Sequence, residues 1–299
     1  MRKLKEQYLD PNFLKEIVLT EDQASKLAAE MKLQLQAGNL LEVDENRIEL
    51  LIAGLGDRRG LIRRTFVEAL GFIGTPSVPA LCQALLHHSN VRVRRACAKA
   101  LKLTNDPSAL PVLLKALIND HDPVVQGSSA GAMAIFGQEA VKHLLQVLIE
   151  PKSTAMQCGL ASWSLSFIGA EAADALLKAA QSENPVIKAV AISALGDQIQ
   201  SLGDEKAKDL VISALHDPDI EVRIEATKLL GKLDSKIWAK PFLKQQLTDQ
   251  NADVRKNAAL SLMQLKSKDS IKDLKQIFIT EKNPEVINVL NLAINQLSK

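Results

Sequence analysis

Asp217-Pro218-Asp219-Ile220-Glu221-Val222-Arg223-Ile224-Glu225-Ala226-Thr227-Lys228-Leu229-Leu230 is the stretch that decides the fold. It opens on an acidic turn interrupted by proline, continues into a helical pattern and closes on an apolar pair. Pro218 ends the preceding helix, and an Asp or Asn side chain at this point accepts the orphan N–H groups of the next one. Ala226 and Leu230 lie three and seven positions past Arg223, so they form one stripe along a helix.

The opening recurs along the chain. It reads Asp57-Arg58-Arg59-Gly60-Leu61-Ile62-Arg63-Arg64, then Asn90-Val91-Arg92-Val93-Arg94-Arg95, Asp122-Pro123-Val124-Val125-Gln126, Asn184-Pro185-Val186-Ile187-Lys188, Asn251-Ala252-Asp253-Val254-Arg255 and Asn283-Pro284-Glu285-Val286-Ile287. The closing pair recurs with it, about every 32 residues: Ala69-Leu70, Ala100-Leu101, Ala132-Met133, Ser164-Leu165, Ala194-Leu195, Ser261-Leu262 and Ala293-Ile294. After each pair comes a break, such as Gly74-Thr75-Pro76, Asn105-Asp106-Pro107, Gly137 or Gly169. A second helix then starts, with Pro79 and Pro111 in first-turn positions where a missing N–H costs nothing. A helical hairpin of this size cannot bury its apolar face alone, so the hairpins must stack. The expected fold is all-α, an α/α solenoid, with function on an extended surface.

Two places break the rule. Ser153-Thr154-Ala155-Met156-Gln157-Cys158 replaces the usual opening in the unit at 152–182, and the connection at 196–206 is longer, with Gly203 and Asp204. Ahead of the array, Thr20 and Gln23 have capping-box spacing, which predicts a helix to Gln36 stopping at Gly38-Asn39. Residues 1–56 are therefore expected to be an N-terminal cap with a half repeat. Residues 57–299 are expected to hold about seven repeats and a polar C-terminal cap.

Composition agrees with a helical array and narrows the function. The 299 residues are 46% hydrophobic but only 3% aromatic, so the core must be Leu, Ala, Ile and Val. A net charge of +2 names no partner. Cys82, Cys97 and Cys158 lack the spacing of a zinc site or disulfide framework, so no metal is expected. Met1–Gln7 has no apolar run behind it, and no stretch approaches the ~20 apolar residues of a membrane span. These features predict a soluble, cytoplasmic protein.

The Asp-x-x-Val-Arg opening, the Ala-Leu helix end and the period resemble HEAT repeats, and more narrowly the short subtype named for phycobilisome lyases. Two stretches sharpen the resemblance: Ala98–Leu101 through Leu117–Ser128, and Ala161-Ser162-Trp163-Ser164-Leu165-Ser166-Phe167-Ile168-Gly169. They are similar to cyanobacterial E/F-type phycobilin lyases and their relatives in phycobilisome degradation. In one respect the chain departs: those lyases carry an aromatic-rich segment in an early repeat, where this sequence reads Arg63–Leu70. The resemblance implies a phycobilin-handling protein assisting attachment, isomerisation or removal of a linear tetrapyrrole on a phycobiliprotein subunit. The bilin would be held transiently, with no permanent cofactor. The implied partners are that subunit and a second HEAT-type lyase chain, and the implied place is the phycobilisome at the thylakoid surface. The other readings are a non-enzymatic adaptor or chaperone for phycobilisome assembly or degradation, and a general protein–protein scaffold.

Candidate site residues come from departures from the repeat. Arg63, Arg94, Arg223 and Arg255 occupy the repeat's own arginine position and suit a structural ladder. Arg58, Arg59, Arg64, Arg92 and Arg95 lie off it, where cations in a first helical turn oppose the macrodipole. With His87 and His88 they are the candidate partner-binding set, because arginine forks match carboxylates. Aromatics do not interleave this cluster, which argues against nucleic acid. Trp163, His143 and Cys158 are the candidate bilin-binding set, with a core-filling role open for Trp163. Cys97 lies on the apolar stripe and is expected in the core. Catalytic residues cannot be named from the sequence.

Overall fold

Each helix begins where the sequence supplies a cap. The computed structural model describes residues 17–38, 44–233 and 236–299, and among these it holds α-helices, short 3₁₀ turns and no strand. Helices α1 (Glu21–Ala37) and α2 (Glu45–Gly54) lead in. First and second helices then alternate. They are α3 (Gly60–Ile73) and α4 (Val78–His87), α5 (Val91–Thr104) and α6 (Leu110–Asn119), α7 (Pro123–Met133) and α8 (Gln138–Ile149), and α9 (Ala155–Ile168) and α10 (Ala173–Ala179). Next come α11 (Pro185–Ser193), followed by α12 (Gly196–Ser201) and α13 (Glu205–Ala214). The series closes with α14 (Ile220–Lys232) and α15 (Lys236–Gln246), α16 (Ala252–Gln264) and α17 (Ile271–Thr280), and α18 (Pro284–Leu297).

Asn90, Asp122, Asn184, Asp219, Asn251 and Asn283 cap first helices, each accepting from backbone N–H groups two or three residues on. The expected capping box at Thr20 and Gln23 is formed. Helix α1 runs one residue past the expected Gln36, to Ala37, and Gly38 takes the left-handed conformation that ends it (φ 65°). Asn39 and Met1–Gln7 lie outside the described residues.

The contacts fall into two compact units, divided between Ser164 and Leu165. In the first, α1, α3, α5 and α7 pack in succession, and α4 and α6 lie on the first helices that follow them. In the second, α11, α14, α16 and α18 pack in succession, with α15 on α16 and α17 on α18. The closing pairs form the core. Leu70, Leu101, Met133, Leu195, Leu230 and Leu262 are fully buried, and apart from Leu229 the residue before each is a small one that lets helices approach. Truncating such a leucine to alanine typically costs about 2–5 kcal/mol.

Close approach is enforced at equivalent points. A Cβ on Gly71 would stand 2.4 Å from Leu103 Cβ, and one on Gly231 would stand 2.5 Å from Ser261. Where serine replaces alanine in the closing pair, its hydroxyl bonds the preceding first helix. Ser164 Oγ donates to Ala130 O at 3.1 Å, and Ser261 Oγ to Thr227 O at 3.0 Å.

Both irregular segments have a structural account. Thr154 and Gln157 form a capping box of their own (2.8 and 3.3 Å), and Gln157 Nε2 donates to Leu117 O and Ile118 O. The long connection folds into the extra helix α12 and turns at Gly203, φ 62°.

Candidate functional site

Except before α9, where Thr154 N–H donates to Gln157, the turn before each first helix is built on one pattern, and departures from it locate the site. Two residues before the cap, a polar side chain accepts the cap residue's N–H. Asp57, Asp120, Ser182, Asp217, Asp249 and Glu281 all do this at 2.7–3.1 Å. At the remaining such turn His88 takes the place, its Nδ1 accepting from Asn90 N–H at 3.0 Å. An imidazole thus stands where other turns carry a carboxylate or hydroxyl.

The register arginines form the expected ladder. Arg63, Arg94, Arg223 and Arg255 each donate to the carbonyl six residues back, at 2.7–3.1 Å. Arg94, Arg223 and Arg255 also form two-point pairs with the acid of the following turn: Asp120, Asp249 and Glu281. Lys188 reaches Asp217 likewise. Gln126 keeps only the carbonyl bond, to Asp120 O, and at the same position of the next unit Cys158 Sγ lies 3.9 Å from Val147 O. Such pairs are charge-assisted and geometrically specific, and Arg255 holds the Glu281 carboxyl down to about 2.

The five off-register arginines separate into two groups, which corrects the sequence expectation that stability leaves them unexplained. Arg59 bonds Asp57 through Nε and Nη2, Ser25 through Nη1 and Glu21 O through Nη2, tying α1 to the α2–α3 turn. Arg95 forms a two-point pair with Asp122 at 2.9 and 2.6 Å, lowering that carboxyl to about 2. Arg64 pairs with Glu68 one turn on. These three have structural work to do. Arg58 and Arg92 do not: among the described residues, no acid or carbonyl takes up either guanidinium, whereas the guanidinium of every other described arginine meets a carboxylate or a backbone carbonyl.

Arg58 and Arg92 line one cleft. It measures about 370 Å³ and lies in the first unit, between the start of α1 and the turns before α3 and α5. Val18, Ala24, Ala53 and Val93 give it an apolar wall, and His88 and Asn90 a polar edge. Glu21 and Asp57 also reach it, Asp57 already engaged by Arg59. Arg92 stands second in α5, where a cation opposes the helix dipole by about 0.3–1 kcal/mol. His87 is apart from this group: its Nε2 is buried without a partner, and burial first, then Lys115, pushes its pKa down.

The bilin-binding candidates are not gathered at one point. Trp163 is 54% exposed, so it is not a core filler, and Phe167 four residues on in α9 is also largely exposed. The equivalent positions of earlier first helices hold Glu68, Lys99 and Gly131. Cys158 is half-buried five residues before Trp163, on a different side of the helix. His143 lies on α8, half-buried, its pKa lowered by burial and then by Lys142. Cys82 is pushed up to about 12 by burial, and Cys97 is raised further. Among the described residues no cluster of His, Cys, Asp and Glu is arranged to hold a metal, and no single helix is long and apolar enough to cross a membrane.

Residues 78–158, 173–247 and 209–295 match the family of HEAT repeats, and residues 62–87 match the PBS lyase HEAT-like repeat. The chain belongs to the HEAT-repeat family.

Within that family it is similar to the bilin biosynthesis protein MpeU of Synechococcus sp. (strain WH8020). The two are 42% identical over 281 residues, which cover 94% of this chain and 95% of MpeU. It is also 32% identical to phycocyanin operon protein Z of Pseudanabaena tenuis (strain PCC 7409) over 200 residues, 64% of this chain and 82% of the relative. Among solved structures, the karyopherin Kap121p bound to the SUMO protease Ulp1p aligns with a TM-score of 0.61 at 16% identity, over 99% of this chain and 37% of the karyopherin. That likeness shows the HEAT fold alone.

One feature of this HEAT array escaped the sequence reading. In the second unit Trp238 packs edge-on to Phe242 with ring centroids 6.3 Å apart, and Lys208 Nζ lies 5.2 Å over the Trp238 ring. Trp238 and Phe242 lie one turn apart on α15 while Lys208 comes from α13, and no repeat position foreshadows the meeting of lysine and ring.

Proposed function

We propose that this chain handles a phycobilin, assisting attachment, isomerisation or removal of a linear tetrapyrrole on a phycobiliprotein subunit. The observation that carries this reading is its 42% identity with a bilin biosynthesis protein over nearly the full length of both chains. The similarity to a phycocyanin operon protein supports the same substrate class. The chain's contribution is positioning. Packed helices holding a bilin near the acceptor cysteine contribute orientation, which is worth more to such a reaction than any single acid or base. The bilin is bound transiently, and the partners are the phycobiliprotein subunit and a second HEAT-type chain. The place of action is the cytoplasmic phycobilisome at the thylakoid surface. Arg58 and Arg92, whose guanidinia have no partner among the described residues, and the exposed Trp163 would be the groups that face a conjugated dicarboxylate.

The test is to inactivate the chain in the organism that encodes it. Chromopeptides from each phycobiliprotein subunit are then compared by mass spectrometry. A missing or isomeric bilin on a defined cysteine is the expected result. Unchanged chromophores on every subunit would contradict the reading.

A further inference from the structure

We infer that the first-unit cleft between α1 and the turns before α3 and α5 is a carboxylate site, in which Arg58 and Arg92 receive the propionates of the linear tetrapyrrole. The inference rests on the bilin reading of the preceding section and adds the place and the recognition chemistry.

Three independent features converge there. First, among the described residues the array engages every other arginine side chain. Arg47, Arg59, Arg63, Arg64, Arg94, Arg95, Arg223 and Arg255 each have a carboxylate or carbonyl partner. The two that have none among the described residues line the same cavity.

Second, the turn that borders the cleft has lost its acid. Asp120, Asp217, Asp249 and Glu281 stand at this point of other turns, and each also pairs with a cation from the preceding unit. Here His88 is found instead, its Nδ1 occupied by Asn90 N–H. A carboxylate at 88 would place a negative charge on the polar edge of the cleft, against an anionic ligand. Of the acids that line the cleft, Asp57 is taken by Arg59 through two bonds, which leaves Glu21 against two guanidinia that have no partner among the described residues.

Third, the cavity is amphipathic and concave. Its volume of about 370 Å³ lies within the range of small-molecule sites, and an apolar wall of Val18, Ala24, Ala53 and Val93 adjoins the cationic edge. An acidic side chain of a protein partner would be met as well by arginines on an open face. A propionate carried on a pyrrole ring needs both the fork and the wall, and planar arginine forks bind carboxylates through two parallel bonds.

The experiment titrates the full-length protein with a linear tetrapyrrole bearing two free propionates and, separately, with its dimethyl ester, following tetrapyrrole absorbance. The variants are Arg58→Gln with Arg92→Gln, and Arg64→Gln as a surface control outside the cleft. Circular dichroism verifies that each variant is folded. Wild type and the control should bind the diacid at least about tenfold more tightly than the ester, since charge-assisted bonds of this kind are worth about that factor each. The double variant should bind both ligands alike. A double variant that keeps the preference for the diacid would overturn the carboxylate site while leaving the bilin reading intact. Equal binding of both ligands by wild type would also overturn it. If wild type takes up neither ligand, the bilin reading itself fails and the site with it.

Discussion

Arg94 and Asp120 form a two-point ion pair between successive units, Nε to Oδ2 at 2.8 Å and Nη2 to Oδ1 at 3.1 Å, while Arg94 Nη1 holds the His88 carbonyl at 3.1 Å. One side chain thus ties two turns together, and Asp120 in addition accepts the N–H of the Asp122 cap. Removing either partner strands the other in a largely buried position. Asp120→Ala should therefore lower unfolding stability by about 2–4 kcal/mol in urea titration. A double-mutant cycle with Arg94→Ala should show coupling of about 1 kcal/mol or more. Additive effects would show that the pair is geometric only.

Two carboxyls lead the acid limb of the stability profile, with Asp57, Asp106, Asp217 and Asp269 lowered in the same direction. Arg255 first, then backbone N–H groups, bring Glu281 from 4.5 to about 2, and Arg95 first brings Asp122 from 3.8 to about 2. Both are depressed in the folded state, so their contribution is fully present above the unfolded values and is lost as pH falls through the folded ones. Stability should drop between about pH 4.5 and pH 2. Glu281→Gln should be less stable at neutral pH and should show a shallower acid limb in pH-dependent denaturation.

Glycines at equivalent-looking helical positions should respond in opposite directions. Gly71→Ala drives a Cβ to 2.4 Å from Leu103 Cβ, and overpacking of this kind costs about 1–3 kcal/mol. Gly131→Ala and Gly159→Ala meet nothing within 4 Å, so relief of glycine's helical penalty should raise stability by about 0.5–1 kcal/mol. Thermal unfolding of the three variants orders them directly.

Thiol reactivity should single out one cysteine. Cys82 and Cys97 are buried and held as thiols, while Cys158 is half-buried. A maleimide should label the native protein slowly and only at Cys158, and Cys158→Ser should take none. Three equivalents should appear on unfolding. Rapid native labelling of Cys97 would contradict the packing of α5.

Much of the architecture is local and therefore legible in the sequence. Asp219 before Ile220 and Asn251 before Ala252 announce their helices, and Ala-Leu pairs at a fixed period announce the stack. The Arg94, Arg223 and Arg255 ladder is readable for the same reason: the position repeats. What the sequence hid depends on which long side chain reaches which partner. Arg59 and Arg92 are equally out of register and equally basic, yet Arg59 finds Asp57 and Ser25 while Arg92 finds no partner among the described residues. Only three-dimensional placement separates them. Trp163 was ambiguous because an aromatic in an apolar stretch suits a core or a surface, and its 54% exposure resolves it. Gln157 reads in sequence only as an irregularity, although it completes a capping box with Thr154 and binds two carbonyls at the end of α6.

The most direct measurement is reconstitution. The chain is co-expressed with a bilin-synthesis pathway and candidate phycobiliprotein subunits, with and without a second HEAT-type chain. Covalent bilin is read by absorbance and zinc-enhanced fluorescence on denaturing gels. The account predicts that the amount or the isomer of covalent bilin on one subunit changes when this chain is present. Identical bilin on every subunit with and without it, whatever the second chain, would contradict the account.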